Sequence, residues 1–331
     1  MRALLVAGLF CCVLSLAPAQ TLPPDASPDS DHDGLSDVVE DALLAQFAPR
    51  FQVSDDDCSL RPAQFVPFVS NPQVQQENGT IYGEAFPVAG NPGWVELHYY
   101  HLWRRDCGAI GHPLDAEHVS ALVVRDDSSN AKALYWYAAA HENTLCDASQ
   151  IARAVTVDGE LHGPPVWISR GKHASFLSDA ICAHGCGGDK CVAMQPLATT
   201  GIINLGERSN AMNGATWAAS AQWPLAAKMS RNDFSDDRTA RADCLPVTSI
   251  AWANPERRPV KATIKVSNHA LGGTAEGFHS ADIALDQAGS NTEDALNNAS
   301  TATGNGLAKS AHGVKKALRA TARKLGMTRP Q

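Results

Sequence analysis

An acidic stretch near the N-terminus has the composition and spacing of a calcium-binding loop. Its carboxylates recur at alternate positions, a glycine stands sixth where the loop must turn sharply, and a glutamate stands twelfth. Calcium is a hard cation that takes six to eight oxygen ligands. The pattern therefore predicts a calcium site with the ligands Asp29, Asp31, Asp33, the backbone carbonyl of Leu35, Asp37 and Glu40.

This loop is expected to stand alone and not as half of a paired sensor. Pro23, Pro24 and Pro28 occupy the place of an entering helix, whereas apolar residues at helical spacing predict an exiting helix that stops before Pro49. A lone loop fits a structural role in which calcium clamps the mature N-terminus. The alternative is an acidic, solvated spacer that binds no ion.

A second group of metal-binding side chains lies at the start of a predicted strand. Asp115 and Glu117 fall on one face of that strand, roughly 7 Å apart, and His112 lies on the adjoining loop. Carboxylate oxygens and imidazole nitrogens suit a divalent cation, so we expect a second metal here. His118 on the same strand is an accessory candidate. The polar side chains that are candidates to complete this site from other strands are His98, His101, His141, Glu142 and His173.

The first 19 residues have the form of an export signal. Arg2 precedes an apolar run, and small residues precede an expected cleavage before Gln20; an uncleaved anchor is the alternative. The expected compartment is secreted or periplasmic, where disulfides form. Three bridges and one free thiol are then expected among Cys58, Cys107, Cys146, Cys182, Cys186, Cys191 and Cys244. The alternative for the 182–191 segment is a zinc site formed by its three cysteines and His184.

The remainder of the chain divides by composition. Short runs rich in Val, Ile, Tyr and Trp predict strands at 65–69, 80–86, 94–103, 119–124, 134–140, 166–169 and 173–177. No strand–helix alternation supports a parallel sheet, so the expected fold is mainly β, an antiparallel β-sandwich with an N-terminal calcium loop and helix and a C-terminal helical tail. The expected divisions are a signal peptide at 1–19, the loop and helix at 20–50, the sandwich at 51–261, a flexible linker at 262–306 and a basic amphipathic helix at 307–326.

Charge is distributed unevenly along this chain of 331 residues. The net charge is −8, yet all the charged residues from 307 onward are basic. The acidic body argues against nucleic acid as the main ligand and favours cations. The basic tail suits peripheral contact with an anionic membrane, and the alternative is that it docks on its own acidic body.

Two sets of motifs carry family resemblances. The segment Gly111-His-Pro-Leu-Asp-Ala-Glu117 is similar to the Gly-His-Arg-His-Asp-Trp-Glu heptapeptide of the necrosis- and ethylene-inducing-like cytolysins, with Leu114 replacing the second His and Ala116 replacing the Trp. Segments 44–51, 55–57, 62–65 and 163–175 resemble the broader vacuolar-protein-sorting-sixty-two-like (Vps62-like) family. The cytolysin resemblance implies a β-sandwich with a metal site at one end, formed by His112, Asp115 and Glu117, that supports binding to membrane glycolipid headgroups.

These observations favour an exported calcium-binding protein that binds a carbohydrate or lipid headgroup through a cation-assisted site. The first alternative is a metal-dependent hydrolase in which His141 or His173 acts as acid or base. The second is a structural module held together by calcium. Motifs of serine or zinc hydrolases are missing from the sequence, and Ser175 has no activating neighbour in sequence, so catalysis is the less favoured interpretation.

Overall fold

The computed structural model describes residues 28–108, 111–126, 130–144, 147–183 and 189–257. The predicted signal peptide, linker and basic helix lie outside these residues, as do Cys146, His184 and Cys186. Short helices are present at α1 (Asp37–Gln46), α2 (Asp179–Ala183) and α3 (Asp236–Asp243), with single 3-10 turns at Ala154–Val157, Thr216–Ala219, Pro224–Ala227 and Pro255–Arg257. The described helices are too short and too polar to cross a bilayer.

The rest of the described structure is mainly β, as the composition predicts. The strands are β1 (Arg50–Ser54), β2 (Gln64–Phe65), β3 (Val74–Gln76), β4 (Thr80–Pro87), β5 (Trp94–Arg105), β6 (Pro113–Arg125), β7 (Ala131–Ala138), β8 (Gln150–Arg153), β9 (Pro165–Ile168), β10 (Ser175–Phe176), β11 (Met194–Pro196), β12 (Gly201–Asn204), β13 (Gly206–Glu207), β14 (Asn210–Ala211) and β15 (Ala251–Trp252). Seven of them form a sheet in the order β12-β4-β5-β6-β7-β8-β15, and four form a second sheet in the order β10-β9-β1-β11. The short pairs β2-β3 and β13-β14 are separate.

Both larger sheets are mixed, so the expectation of purely antiparallel pairing was wrong. Strand β1 pairs parallel to β9, and β12 pairs parallel to β4. Parallel neighbours need long connections, and here the connections run through most of the intervening strands. A local strand pattern does not encode such distant partners, so the parallel pairs could not be predicted from it.

The seven-stranded sheet is buried on both faces along its central strands. One face packs against the second sheet and α1, where Tyr99, Val119 and Leu43 belong to one apolar cluster. The opposite face is covered by the chain after residue 205, where Tyr100 and Trp217 share another cluster. Because β5 is buried on both sides for most of its length, polar residues on either face of it have to find partners inside the protein.

Two disulfides join described cysteines, Cys58 to Cys107 and Cys182 to Cys191. Among the described cysteines, Cys244 is free and exposed. Bonding of Cys191 to Cys182 agrees with the expected disulfide-closed loop and removes two of the thiolates that the alternative zinc site requires.

Candidate functional site

The N-terminal acidic loop folds as a tight turn held by its own carboxylates. Asp29 accepts the backbone N–H groups of His32 at 2.8 Å and Gly34 at 3.1 Å, and Asp33 accepts that of Leu35 at 2.6 Å. Gly34 has a φ of 94°, a left-handed conformation that favours glycine. Helix α1 then begins at Asp37, inside the motif, as the spacing predicts.

Several carboxylate oxygens of this loop are buried without a hydrogen-bond partner among the described residues. They are both oxygens of Asp31, Oδ2 of Asp33 and Oε1 of Glu40. Asp29, Asp31 and Asp33 also present ligand atoms within 4.8 Å of one another. Burial, followed by repulsion among the carboxylates, raises the pKa of Asp31 to about 6, and burial raises the pKa of Asp33 to about 7 and of Glu40 to about 9. A hard cation would satisfy all four oxygens.

Asp37, the ninth residue of the motif, and three residues outside the loop interact with its other residues. Both Asp37 oxygens accept hydrogen bonds from Ser30, through its N–H at 2.7 Å and its hydroxyl at 2.6 Å. Asn204 donates to Glu40 Oε2 at 2.6 Å, and Asn210 donates to the Asp31 carbonyl at 2.7 Å. Glu207, between these asparagines, lies near enough for its charge to act on Asp31. Sequence reasoning missed these three residues, because they follow the loop by more than 160 positions.

The second predicted group is centred on a buried histidine. Asp115 Oδ2 lies 3.0 Å from His173 Nδ1, and Asp57 Oδ1 lies 3.4 Å from His173 Nε2. The Trp103 ring stacks on the imidazole with centroids 4.0 Å apart. Burial alone would lower the pKa of His173, but the hydrogen bonds and charges of the two aspartates raise it to about 9. His173 is therefore an imidazolium that bridges two carboxylates at neutral pH.

Glu117 lies beside this bridge with little of its hydrogen-bonding capacity used. Its nearest ionic partner among the described residues is Lys228, at 3.8 Å, and its side chain is 14% exposed. Burial raises the pKa of Glu117 to about 7, against the opposing charge of Lys228. His112 is more than half exposed, and its closest carboxylate is Asp106 at 3.9 Å. The structure thus places Asp115 and Glu117 on one face as predicted, but it does not bring His112 into ligand distance of both.

His101 and Ser175 form a buried pair that resembles a catalytic dyad only in composition. His101 Nε2 lies 2.7 Å from Ser175 Oγ, and the Trp103 indole N–H donates to His101 Nδ1 at 2.8 Å. Since an indole N–H can only donate, Nδ1 accepts, and a neutral His101 carries its proton on Nε2. That tautomer donates to the serine and cannot take its proton. Burial also lowers the pKa of His101 well below its usual value.

His141 is held by one carboxylate. Its Nε2 lies 2.9 and 2.8 Å from the two oxygens of Asp189, and Ser169 donates to the same aspartate at 2.8 Å. Burial lowers the pKa of His141, but the hydrogen bond and charge of Asp189 reverse this and raise it. His141 is thus fixed as an ion-pair partner of Asp189 near Glu117.

The remaining accessory residues lie on the other face of the seven-stranded sheet, in what we call the Asp233 network. This network comprises Glu96, His98, His118, Ser120, Glu142, Arg231 and Asp233. Asp233 Oδ2 lies 3.0 Å from His118 Nε2 and accepts the Ser120 hydroxyl at 2.7 Å. Burial would raise the pKa of Asp233, but its interactions with His118, His98 and Arg231 lower it strongly.

The network also has the residue types of a metal site, since His98, His118 and Asp233 have ligand atoms close together. Arg231, however, donates to Asp233 Oδ1 at 2.6 Å and lies 2.9 Å from His118 Nε2. A guanidinium in that position supplies the positive charge that an ion would bring. The contacts therefore favour a structural network over a metal centre.

The predicted accessory residues consequently do not form one site. His98 and His101 are three positions apart on β5, and an odd offset along a strand puts side chains on opposite faces. His101, His141 and His173 lie on the side of Glu117, whereas His98, His118 and Glu142 belong to the Asp233 network. The alternation of side chains along a strand was the sequence signal that could have separated these two groups of residues.

Comparisons with known proteins give only distant likenesses. No family model matches the sequence, and no curated protein matches it. Solved structures that are similar include NLPPya in complex with glucosamine, at 15% identity and a TM-score of 0.32, covering 60% of this chain and 82% of that one. NLPPya in complex with mannosamine has 16% identity and a TM-score of 0.33, covering 60% and 83%.

A third similar structure is Necrosis and Ethylene inducing Protein 2 from the causal agent of cocoa's Witches Broom disease. It has 18% identity and a TM-score of 0.34, covering 56% of this chain and 86% of that one. The structural neighbours are thus cytolysin-like, and nothing in the comparisons supports the Vps62-like resemblance. With TM-scores this low, the likeness assigns no ligand to this chain.

Proposed function

We propose that this chain is an exported calcium-binding β-sandwich protein that binds a carbohydrate or lipid headgroup through a second, cation-assisted site. The calcium part is carried by one observation, the buried carboxylate oxygens of Asp31, Asp33 and Glu40 that have no hydrogen-bond donor among the described residues. An unpaired buried carboxylate is strongly unfavourable, and a calcium ion would pair with several at once.

The headgroup part rests on Asp115 and Glu117. Asp115 uses Oδ2 for His173, and Glu117 has only a distant ionic contact with Lys228. Oxygens on both carboxylates would therefore be available to a cation. A cation held there would present open coordination positions to the hydroxyl groups of a sugar or lipid headgroup.

Metal analysis of the purified protein tests both parts. Wild type is expected to hold two ions per chain, and Asp31→Asn and Asp115→Asn/Glu117→Gln are each expected to lose one. Asparagine at 115 keeps an acceptor for His173, so the fold is expected to persist. Glu160→Gln, which alters a carboxylate paired with Lys132 on the surface, is the control.

Ligand binding is then measured with glucosamine and mannosamine, the sugars bound in the NLPPya structures. Saturable binding that needs the second ion supports the proposal. If the Asp115→Asn/Glu117→Gln variant keeps both ions, the headgroup site is wrong and a calcium-held structural module is the better description. If wild type holds no calcium, the calcium part is wrong too.

The contacts favour binding over hydrolysis. A general acid or base must reach substrate, but His173 is fully buried between two aspartates and His141 is held by both oxygens of Asp189. The two described disulfides suit the oxidising compartment that export would provide.

A further inference from the structure

The hairpin β13-β14 lies against the calcium loop. Glu207 of β13 stands directly opposite Asn210 of β14 in the hairpin register. Asn210 reaches the loop itself, since its side chain donates to the Asp31 carbonyl at 2.7 Å. Just before the hairpin, Asn204 donates to Glu40 at 2.6 Å. The hairpin therefore contacts the loop at Asp31, and the residue two positions before it contacts Glu40.

One carboxylate oxygen of Glu207 has the same character as the orphaned oxygens of the loop. Its Oε1 is buried and has no hydrogen-bond partner among the described residues. Its other oxygen, Oε2, accepts the Ser230 hydroxyl, which restrains the side chain. A carboxylate from outside the motif is thus held close to Asp31 and Asp33.

We infer that Glu207 is a further calcium ligand, supplied from outside the motif, which binds through Oε1 while Ser230 holds Oε2. This inference rests on the proposed calcium binding by the loop. Fully buried Asp31 and Glu40 supply the independent sign of a ligand, because both carry carboxylate oxygens with no hydrogen-bond partner among the described residues. With Glu207, calcium would join the N-terminal loop to a strand that follows it by more than 160 residues.

The electrostatics agree with this placement. The charge of Glu207 contributes to the raised pKa values of both Asp31 and Asp33. In a calcium loop, affinity depends on how many charged ligands surround the ion. Loss of a supporting group around a metal commonly weakens binding by about 10- to 100-fold, so loss of a direct ligand is expected to weaken it at least about tenfold.

Calorimetric calcium titration of the purified full chain tests the inference with Glu207→Gln, Asp31→Asn and the control Glu256→Gln. Glu256 is exposed on the last 3-10 turn, so its variant removes the same charge from the surface. We expect calcium affinity to fall at least tenfold in Glu207→Gln and to stay within twofold in Glu256→Gln. Equal affinities in these two variants, with wild type binding calcium, would overturn the ligand role of Glu207 and leave the loop site standing.

A second measurement separates ligation from an effect on folding. Luminescence lifetimes of terbium bound in place of calcium, compared in H₂O and D₂O, count the water molecules on the ion. Replacing a carboxylate ligand by a side chain without oxygen is expected to add a water in Glu207→Ala, and no added water is expected in Ser230→Ala. An unchanged water count in Glu207→Ala also overturns the inference. Wild type that binds neither ion overturns the calcium proposal itself.

Discussion

Replacing Glu40 by glutamine should raise the free energy of unfolding without calcium and should reduce the stabilisation that calcium provides. Without calcium, Glu40 Oε1 is buried with no donor among the described residues, while Oε2 accepts from Asn204. A glutamine can keep its carbonyl oxygen toward Asn204 and turn its NH₂ toward the unpaired oxygens of Asp31. The variant should therefore be more stable than wild type in a chelator.

The magnitudes follow from the same geometry. A buried unsatisfied polar group destabilises by about 1–3 kcal/mol, so Glu40→Gln is expected to gain about that much without calcium. Wild type at free calcium about 100-fold above its Kd gains about 2.7 kcal/mol from binding. If losing the twelfth-position ligand weakens binding about 100-fold, a range known for altered metal sites, the variant gains under about 0.5 kcal/mol.

The assay is urea unfolding at neutral pH, followed by tryptophan fluorescence, in chelator and in calcium. The calcium-induced gain in unfolding free energy is measured for wild type, Glu40→Gln and the exposed control Glu256→Gln. The control should gain as much as wild type. The reasoning fails if Glu40→Gln is less stable than wild type in chelator, or if calcium stabilises it equally.

Three further predictions concern the rest of the molecule. In His173→Asn, asparagine tolerates the left-handed φ of 57° at this position. The substitution removes the bridge between Asp57 and Asp115, so the free energy of unfolding in urea should fall by about 3–5 kcal/mol. A loss no larger than that of the exposed variant His162→Asn would contradict this. For Glu84, burial raises the pKa to about 7, so the folded state holds its proton more tightly and stability should fall by about 3 kcal/mol between pH 4.5 and 7. In chelator, Glu84→Gln should lack that fall, and parallel pH profiles of the two proteins would show that Glu84 stays ionised. A disulfide that closes a longer loop restricts the unfolded chain more. Removing the Cys58–Cys107 bridge, which spans 49 residues, should therefore destabilise the protein by about 4 kcal/mol, and removing the Cys182–Cys191 bridge, which spans 9, by about 3 kcal/mol. A larger loss for the shorter bridge, measured with both cysteines of each bridge replaced by serine, would contradict this reasoning.

The sequence predicted those parts of the fold that depend on neighbouring residues. The long strands β4, β5 and β7 were expected close to their observed positions, because β-branched and aromatic runs mark them. Strand β6 begins earlier than expected, at Pro113, because it pairs with β5 as far as Arg105. Strand β1 was missed, since it follows a helix directly and pairs with strands more than 100 residues away.

In the candidate sites, too, features that depend on neighbouring residues could be predicted and features that depend on distant residues could not. The turn of the acidic loop and the start of α1 within it could be predicted because they depend on local spacing. The single site predicted from scattered histidines was too coarse, because their grouping ignored that His98 and His101 point to opposite faces of β5. Glu207 and Arg231 carry no local motif, and only the packing of the chain after residue 205 brings them to their partners.

The calcium loop and the interior of the sheet are connected through Ser230. Its hydroxyl is within hydrogen-bond distance of both Glu84 and Glu207 but has one hydrogen, so it can donate to only one carboxylate at a time. The charge of Glu207 adds to the effect of burial in raising the pKa of Glu84. A cation on Glu207 would neutralise that charge and lower the pKa of Glu84 toward its usual value. Calcium should therefore reduce the contribution of Glu84 to the loss of stability between pH 4.5 and 7, measured as the difference between the wild-type and Glu84→Gln profiles. A difference that calcium leaves unchanged would show that Glu207 does not couple the two regions.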